Sequence, residues 1–276
     1  MIEVLNLGAG VQSSTVLLMS IEGELPPIDH AIFADTGWEP AAVYRQMEWL
    51  EAKATAAGIK VHRVSIGDIK DDALRSRVRG KSADGYRWAS MPYFVLGLEG
   101  ERGQIRRQCT YEYKIRPIDR CLRRKILGLR PRQRAPKKPV IRRWYGISHD
   151  EQQRMRISEA KWCVNWYQLV ERRMTRTTCY QWLEDHGYPE APRSACIGCP
   201  YRHNREWREM KKNRPDEWQD AVEFDRAIRK CGGMRGDVFL HADRKPLDEA
   251  NLWRDQDENQ LPLFDMVDEC SGMCGV

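Results

Sequence analysis

The chain has 276 residues, 31% of them charged and 41% hydrophobic, with a net charge of +6. This composition fits one large α/β domain, or a domain with a small appendage, that buries its own core, and it excludes wholesale disorder. No run of about 18 apolar residues occurs, which excludes a membrane-spanning helix, and a strand pattern starting at Met1 leaves no room for a signal peptide, so the sequence reads as cytoplasmic.

Residues 4–7 read as a buried strand that runs into Gly8-Ala9-Gly10, and a helix follows over residues 13–22. Ala31-Ile32-Phe33-Ala34 is the next apolar run, closed by Asp35-Thr36-Gly37. Pro40 suits the first turn of a helix that reaches residue 57. Residues 59–65 form a third strand anchored by Val61 and Val64. Strands alternating with helices predict a parallel, doubly wound α/β sheet with helices on both faces. Residues 67–130 read as mainly helical and polar. Residues 130–139 carry three prolines and five cations and read as an exposed loop. A strand is expected over residues 140–147 and another within 162–170, then helices separated by Cys-, Gly- and Pro-bearing turns. The expected division is an α/β domain over 1–170, with a basic insert at 102–143, and a helical, Cys-bearing region over 171–276 with a mobile tail.

Positive charge is concentrated in that insert. Residues 102–143 hold sixteen Lys and Arg against Glu112 and Asp119, a net of +14 that leaves −8 for the remainder. Such a block suggests a polyanionic partner, with a solvated loop as the alternative. Nine cysteines, an odd number in a reducing compartment, point to metal binding or thiol chemistry rather than structural disulfides.

Four constellations carry candidate chemistry. Gly8-Ala9-Gly10-Val11-Gln12-Ser13-Ser14 joins a strand to a helix start, where close backbone approach and unpaired N–H groups suit a phosphate or pyrophosphate. It is neither a P-loop nor a Gly-x-Gly-x-x-Gly turn; a bare turn is the alternative. Asp35 with Thr36 and Gly37 ends the second strand, placed to accept hydrogen bonds from ribose or adenine, or else to cap a helix. Cys196-x-x-Cys199, with Gly198 easing the turn, has chelating spacing and needs two remote thiolates to close a zinc or 4Fe–4S shell. Ordinary buried cysteines are the alternative. The glycine-bearing tail offers Cys270 and Cys274 as thiolates that could swing into a nucleotide site, or is a frayed terminus. Lys114, Arg116, Arg154 and Arg156 could neutralise phosphates or form salt bridges. Trp144-Tyr145 and the aromatics of 162–167 could stack bases or pack the core.

Five segments, in order, resemble the PP-loop superfamily and its phosphoadenosine-phosphosulfate (PAPS) reductase-like branch. Residues 8–13 resemble a variant PP-loop in which Gln12 stands where Asp is usual. Residues 33–37 are similar to the branch's Phe-x-Asp-Thr-Gly. Cys109 through Ile118 resembles its Cys…Lys-x-x-Pro segment, Gly146 through Arg154 its Gly-Ile…Arg segment, and Ser194 through Pro200 its Ile-Gly-Cys-x-Pro-Cys region. The resemblance spans about residues 1–205 and extends to DNA phosphorothioation sulfurtransferases and phage-encoded relatives. It implies an adenine-nucleotide α-hydrolase-like fold, with ATP or PAPS bound by Gly8–Ser14, Asp35–Gly37, Gly146 and Arg154, and Mg2+ accompanying the phosphates. It implies a 4Fe–4S cluster, zinc being the alternative, with Cys109 beside Cys196 and Cys199. Cys179 is our choice for the fourth ligand, ahead of Cys121 and Cys163.

Three functions follow from the resemblance. The preferred one is a PP-loop ATP pyrophosphatase that adenylylates a DNA, RNA or nucleotide acceptor for sulfur transfer from a thiol or cluster. The second is a sulfonucleotide reductase, in which Cys270 or Cys274 attacks the sulfate sulfur and a thioredoxin-like partner releases sulfite. The third is a non-catalytic nucleotide- or nucleic-acid-binding module.

Overall fold

The structure is a computed structural model and describes residues 1–75, 91–230 and 236–253. The amino-terminal half follows the predicted alternation: β1 (Ile2–Asn6), α1 (Val11–Ile21), β2 (His30–Ala34), α2 (Ala41–Ala56), β3 (Lys60–Val64) and α3 (Ile69–Arg75). After these come β4 (Phe94–Gly97), β5 (Arg102–Gln104), α4 (Arg116–Cys121), β6 (Ile141–Tyr145), β7 (Cys163–Trp166) and α5 (Gln168–Glu171). The last described elements are α6 (Arg176–Asp185), α7 (Asn204–Asn213), α8 (Pro215–Ala227) and β8 (Gly236–Phe239).

Five strands form a parallel sheet in the order β3-β2-β1-β6-β7. The two-residue period of each strand sorts its side chains onto two faces. Leu5, Ala31, Phe33 and Trp144 pack with Leu17, Met47, Leu50 and Leu183 from α1, α2 and α6. Val4, Ile32, Ala34 and Ile141 pack on the other face with Ile118, Cys121 and Leu122 from α4 and its continuation. Both faces are therefore covered, as a parallel sheet requires. Among the described residues no helix is long and apolar enough to cross a membrane.

A second sheet, antiparallel in the order β5-β4-β8, shares a separate core with α7 and α8 built on Tyr93, Trp207, Phe224 and Val238. This corrects two expectations. Among the described residues of 67–130, helix is confined to 69–75 and 110–126 and the strands β4 and β5 stand between them, and the carboxyl-terminal part contains a strand, β8. Pairing rather than periodicity makes these strands. The edge strand Arg102-Gly103-Gln104 is wholly exposed and carries no apolar alternation, while β4 finds β8 far along the chain. The same pairing, together with the packing of α6 on α1, ties residues beyond 170 to those before it. Helix does run from Thr110 to Ile126, with wide π-type turns on both sides of α4. Residues 131–134 and 137–139 are exposed, as the loop reading expects.

Gly146 fixes how β6 meets α1. A Cβ at this position would lie 2.7 Å from the Ser13 amide nitrogen and 2.9 Å from its Cα, both backbone atoms that cannot swing aside. We expect Gly146→Ala to destabilise the protein by about 1–3 kcal/mol through overpacking, read as a lower urea midpoint with an unchanged slope; an unchanged midpoint would contradict this packing.

Candidate functional site at the sheet edge

The order of strands reverses between β1 and β6, since one leads outward to β2 and β3 and the other to β7. Doubly wound sheets take ligands in the crevice outside the carboxyl ends of strands at such a reversal. Residues 8–14 occupy that end of β1. Ala9 adopts a left-handed conformation at φ +57°, and Gly10 then caps α1 in an extended one, with no side-chain hydrogen bond to the helix. The first-turn amides of an 11-residue helix therefore face the crevice without a capping side chain, the arrangement that suits an anion. The Ser13 hydroxyl works inward: it accepts from the Gly8 N–H at 3.1 Å and donates to the Gly10 carbonyl at 3.2 Å. Ser14 is fully buried and its hydroxyl has no hydrogen-bond partner, as is true of both amide atoms of Asn6 at the end of β1.

Gln12 is buried, and its amide donates to Glu151 Oε2 at 3.2 Å and Ser148 Oγ at 3.5 Å. Arg154 pairs with Glu151 Oε1 at 3.0 Å. The carboxylate that the loop itself lacks thus stands beside it, supplied from the segment after β6. Burial pushes the Glu151 carboxyl above its ordinary value, while Arg154 and Arg176 pull the other way.

At the end of β2, Asp35 Oδ1 accepts from the Gly37 N–H at 2.8 Å and from the Tyr44 hydroxyl at 3.0 Å. Gly37 is obligatory here: its φ is +79° and a Cβ would meet the Asp68 Cα at 2.8 Å. Asp35 remains partly exposed and Thr36 is buried. Thr36 turns away towards a second feature, a narrow pocket lined by Cys109, Cys196, Cys199, Thr36, Arg107 and Lys114 among others. In its wall Thr36 Oγ1 donates to Glu39 Oε1 at 3.0 Å and lies 3.3 Å from the Cys196 sulfur. Lys114 Nζ lies 3.7 Å from the same Glu39 oxygen, both side chains being almost fully buried.

The structure brings three of the four expected metal cysteines to one pocket. It does not bring Cys179, which is fully buried between α1 and α6 in the core on one face of the sheet, its thiol pushed up to about 12 by burial. Cys121 and Cys163 lie in the core of the opposite face. Three thiols are one short of a closed zinc or 4Fe–4S shell, and among the described residues no group of three or more His, Cys, Asp or Glu is placed to hold a metal ion. Among the described residues the pocket holds three of the four thiols that such a centre needs. Cys270 and Cys274 lie outside the described residues.

Other expected contacts divide. Arg116 and Arg156 are exposed, and Arg154 is braced by Glu151. Lys114 belongs to the thiol pocket wall and Arg143 to the interior, paired with Asp119 at 2.5 Å. Trp144, Tyr145, Trp162 and Tyr167 are buried, so their role is packing. Residues not anticipated include Glu39, Trp38 and Arg202. The Arg202 guanidinium, lowered to about 10 by burial, donates to the carbonyls of Ala195, Cys196 and Ile197. Their only signals in sequence are short spacings, Thr36 to Glu39 and Cys199 to Arg202, which many turns share.

No family model matches the chain, and no curated protein matches it. Among solved structures it is similar to the phosphate complex of phosphoadenylyl-sulfate (PAPS) reductase from Candida auris, at 13% identity and a TM-score of 0.42, over 69% of this chain and 75% of that one.

The raised Glu151 carboxyl has a consequence for stability. The unfolded chain ionises this group first as pH rises past the ordinary 4.5, so the native state loses stability through the window up to its own higher pKa. The melting temperature of Glu151→Gln should therefore fall less than that of the parent as pH rises above 4.5. Parallel melting curves for the two proteins across that window would contradict the assignment.

Proposed function

We propose that the crevice binds an adenine nucleotide, with its phosphates at the amino end of α1 and its adenosine beside Asp35. The observation that carries this reading is the switch point between β1 and β6, where residues 8–14 meet the segment from Gly146 to Arg154. ATP held there is attacked at its α-phosphorus by an acceptor oxygen. A new P–O bond forms, the bond to pyrophosphate breaks, and pyrophosphate leaves. A sulfur nucleophile then forms a C–S bond to the activated carbon, and AMP departs with the acceptor oxygen. The acceptor in this reading is nucleic acid, because Arg116, Arg120, Arg132, Arg134, Lys137 and Lys138 are all exposed and a phosphate backbone recruits such cations by counterion release.

A second reading is favoured by the thiol pocket at Thr36. In it the nucleotide is PAPS or its 5′-phosphosulfate analogue. A cysteine thiolate, Cys270 or Cys274, attacks the sulfate sulfur, so that an S–S bond forms as the S–O bond to the nucleotide phosphate breaks and the desulfated nucleotide leaves; a thioredoxin-type dithiol then reduces the S-sulfocysteine, releasing sulfite and becoming a disulfide. Motif resemblance across residues 1–205 supports both readings equally.

Products separate the two. Purified protein with Mg2+, ATP and nucleic acid should release pyrophosphate, and the rate should fall steeply with salt; charge reversal at Arg132, Arg134, Lys137 and Lys138 should flatten that dependence. Sulfite from PAPS and a dithiol, without pyrophosphate from ATP, would replace the first reading by the second. Release of neither product would contradict both and leave a binding module.

A further inference from the structure

We propose that Cys196 and Cys199 are a thiol–disulfide exchange pair, whichever reaction runs at the crevice. All six described cysteines are thiols, and three of them share the pocket beside Thr36. The Cys199 N–H donates to the Cys196 carbonyl at 3.1 Å, closing a tight turn. Such a turn brings the two Cα atoms within about 7 Å, and a disulfide spans Cα separations of about 4.4–6.8 Å. The pair therefore closes without a large backbone movement. No such turn joins Cys109 to either, because it comes from the start of the π-wound helix on a different segment of the pocket wall.

The surroundings suit exchange rather than inert packing. Arg107 and Lys114 line the same pocket, and the Arg202 guanidinium lies beneath the turn against three of its carbonyls. The Arg202 guanidinium favours negative charge on both sulfurs, and Lys114 offsets the Glu39 carboxylate, whose Oε1 lies 3.9 Å from the Cys196 sulfur. The buried Thr110 hydroxyl, also in the pocket wall, has no hydrogen-bond partner and offers a donor to a polar guest. The turn is anchored from outside as well: Ile197 N–H donates to the Trp38 carbonyl at 3.0 Å, and Gly198 lies against the Trp38 ring, where a Cβ would come within 2.1 Å.

The co-reactant is a disulfide of a small thiol or of a dithiol protein. One cysteine thiolate attacks it, forming a mixed disulfide and expelling one thiolate of the reagent. The second cysteine attacks the protein sulfur of that mixed disulfide and expels the other. The protein pair is oxidised by two electrons, the reagent is reduced to two thiols, and the two cysteine protons pass to solvent or to the departing thiolates.

Oxidised glutathione is a suitable probe on the full-length protein, followed by alkylation and trypsin digestion without reduction. The tryptic fragment over residues 194–202 contains both cysteines, and that over 108–114 contains Cys109. Fragment 194–202 should become lighter by two hydrogen atoms. Cys196→Ser and Cys199→Ser should each stop at a glutathione mixed disulfide on the remaining cysteine, and Cys109→Ser should oxidise like the parent. A cross-link between 108–114 and 194–202, no disulfide at all, or iron or zinc held by the pair and blocking oxidation until chelated would each overturn the proposal.

Discussion

Contact between the end of β6 and the start of α1 governs the candidate site. Two backbone segments approach so closely that only Gly146 fits against Ser13. That approach carries Ser148 and Glu151 onto Gln12, and Arg154 with them. A parallel sheet makes it possible, because β1 and β6 end on the same edge and both continue into the crevice. The helix amides supply a positive end, and the neighbouring segment supplies a carboxylate and a guanidinium. Loop and neighbour thus act as one unit, in which Gln12 is a link rather than a missing carboxylate.

The second dependence runs through the segment after β2. Asp35 closes the end of β2 and accepts from the Gly37 N–H, Thr36 touches Cys196, Gly37 turns over Asp68, and Trp38 lies on Gly198. Four consecutive residues therefore join the crevice to the thiol pocket. Trp38 also packs on Phe224 and donates to Asp220 at 2.6 Å, which fastens the parallel sheet to the core of the smaller one.

Much of this was legible before the fold was known, and the limits were physical. The first three strands and two helices announced themselves by apolar runs and by turn residues such as Gly37 and Pro40, all local signals. The strands β4, β5 and β8 did not, because their order comes from pairing across long sequence separation. Cys196 and Cys199 were recognisable from spacing, and Cys109 from resemblance. Cys179 was misplaced because distance along the chain does not say which side of a sheet a helix covers; α6 covers the face of Leu5, away from the pocket. Glu151 lay within a resembling segment, but its contact with Gln12 needed three dimensions to appear.

Hydrogen exchange read by mass spectrometry, with and without ATP and Mg2+, tests the central claim most directly. The amides at the start of α1, residues 10–14, and those of 146–151 should exchange more slowly when nucleotide is present. Protection confined to other parts of the chain, with these two segments unchanged at saturating nucleotide, would contradict a phosphate site at the β1–β6 crevice.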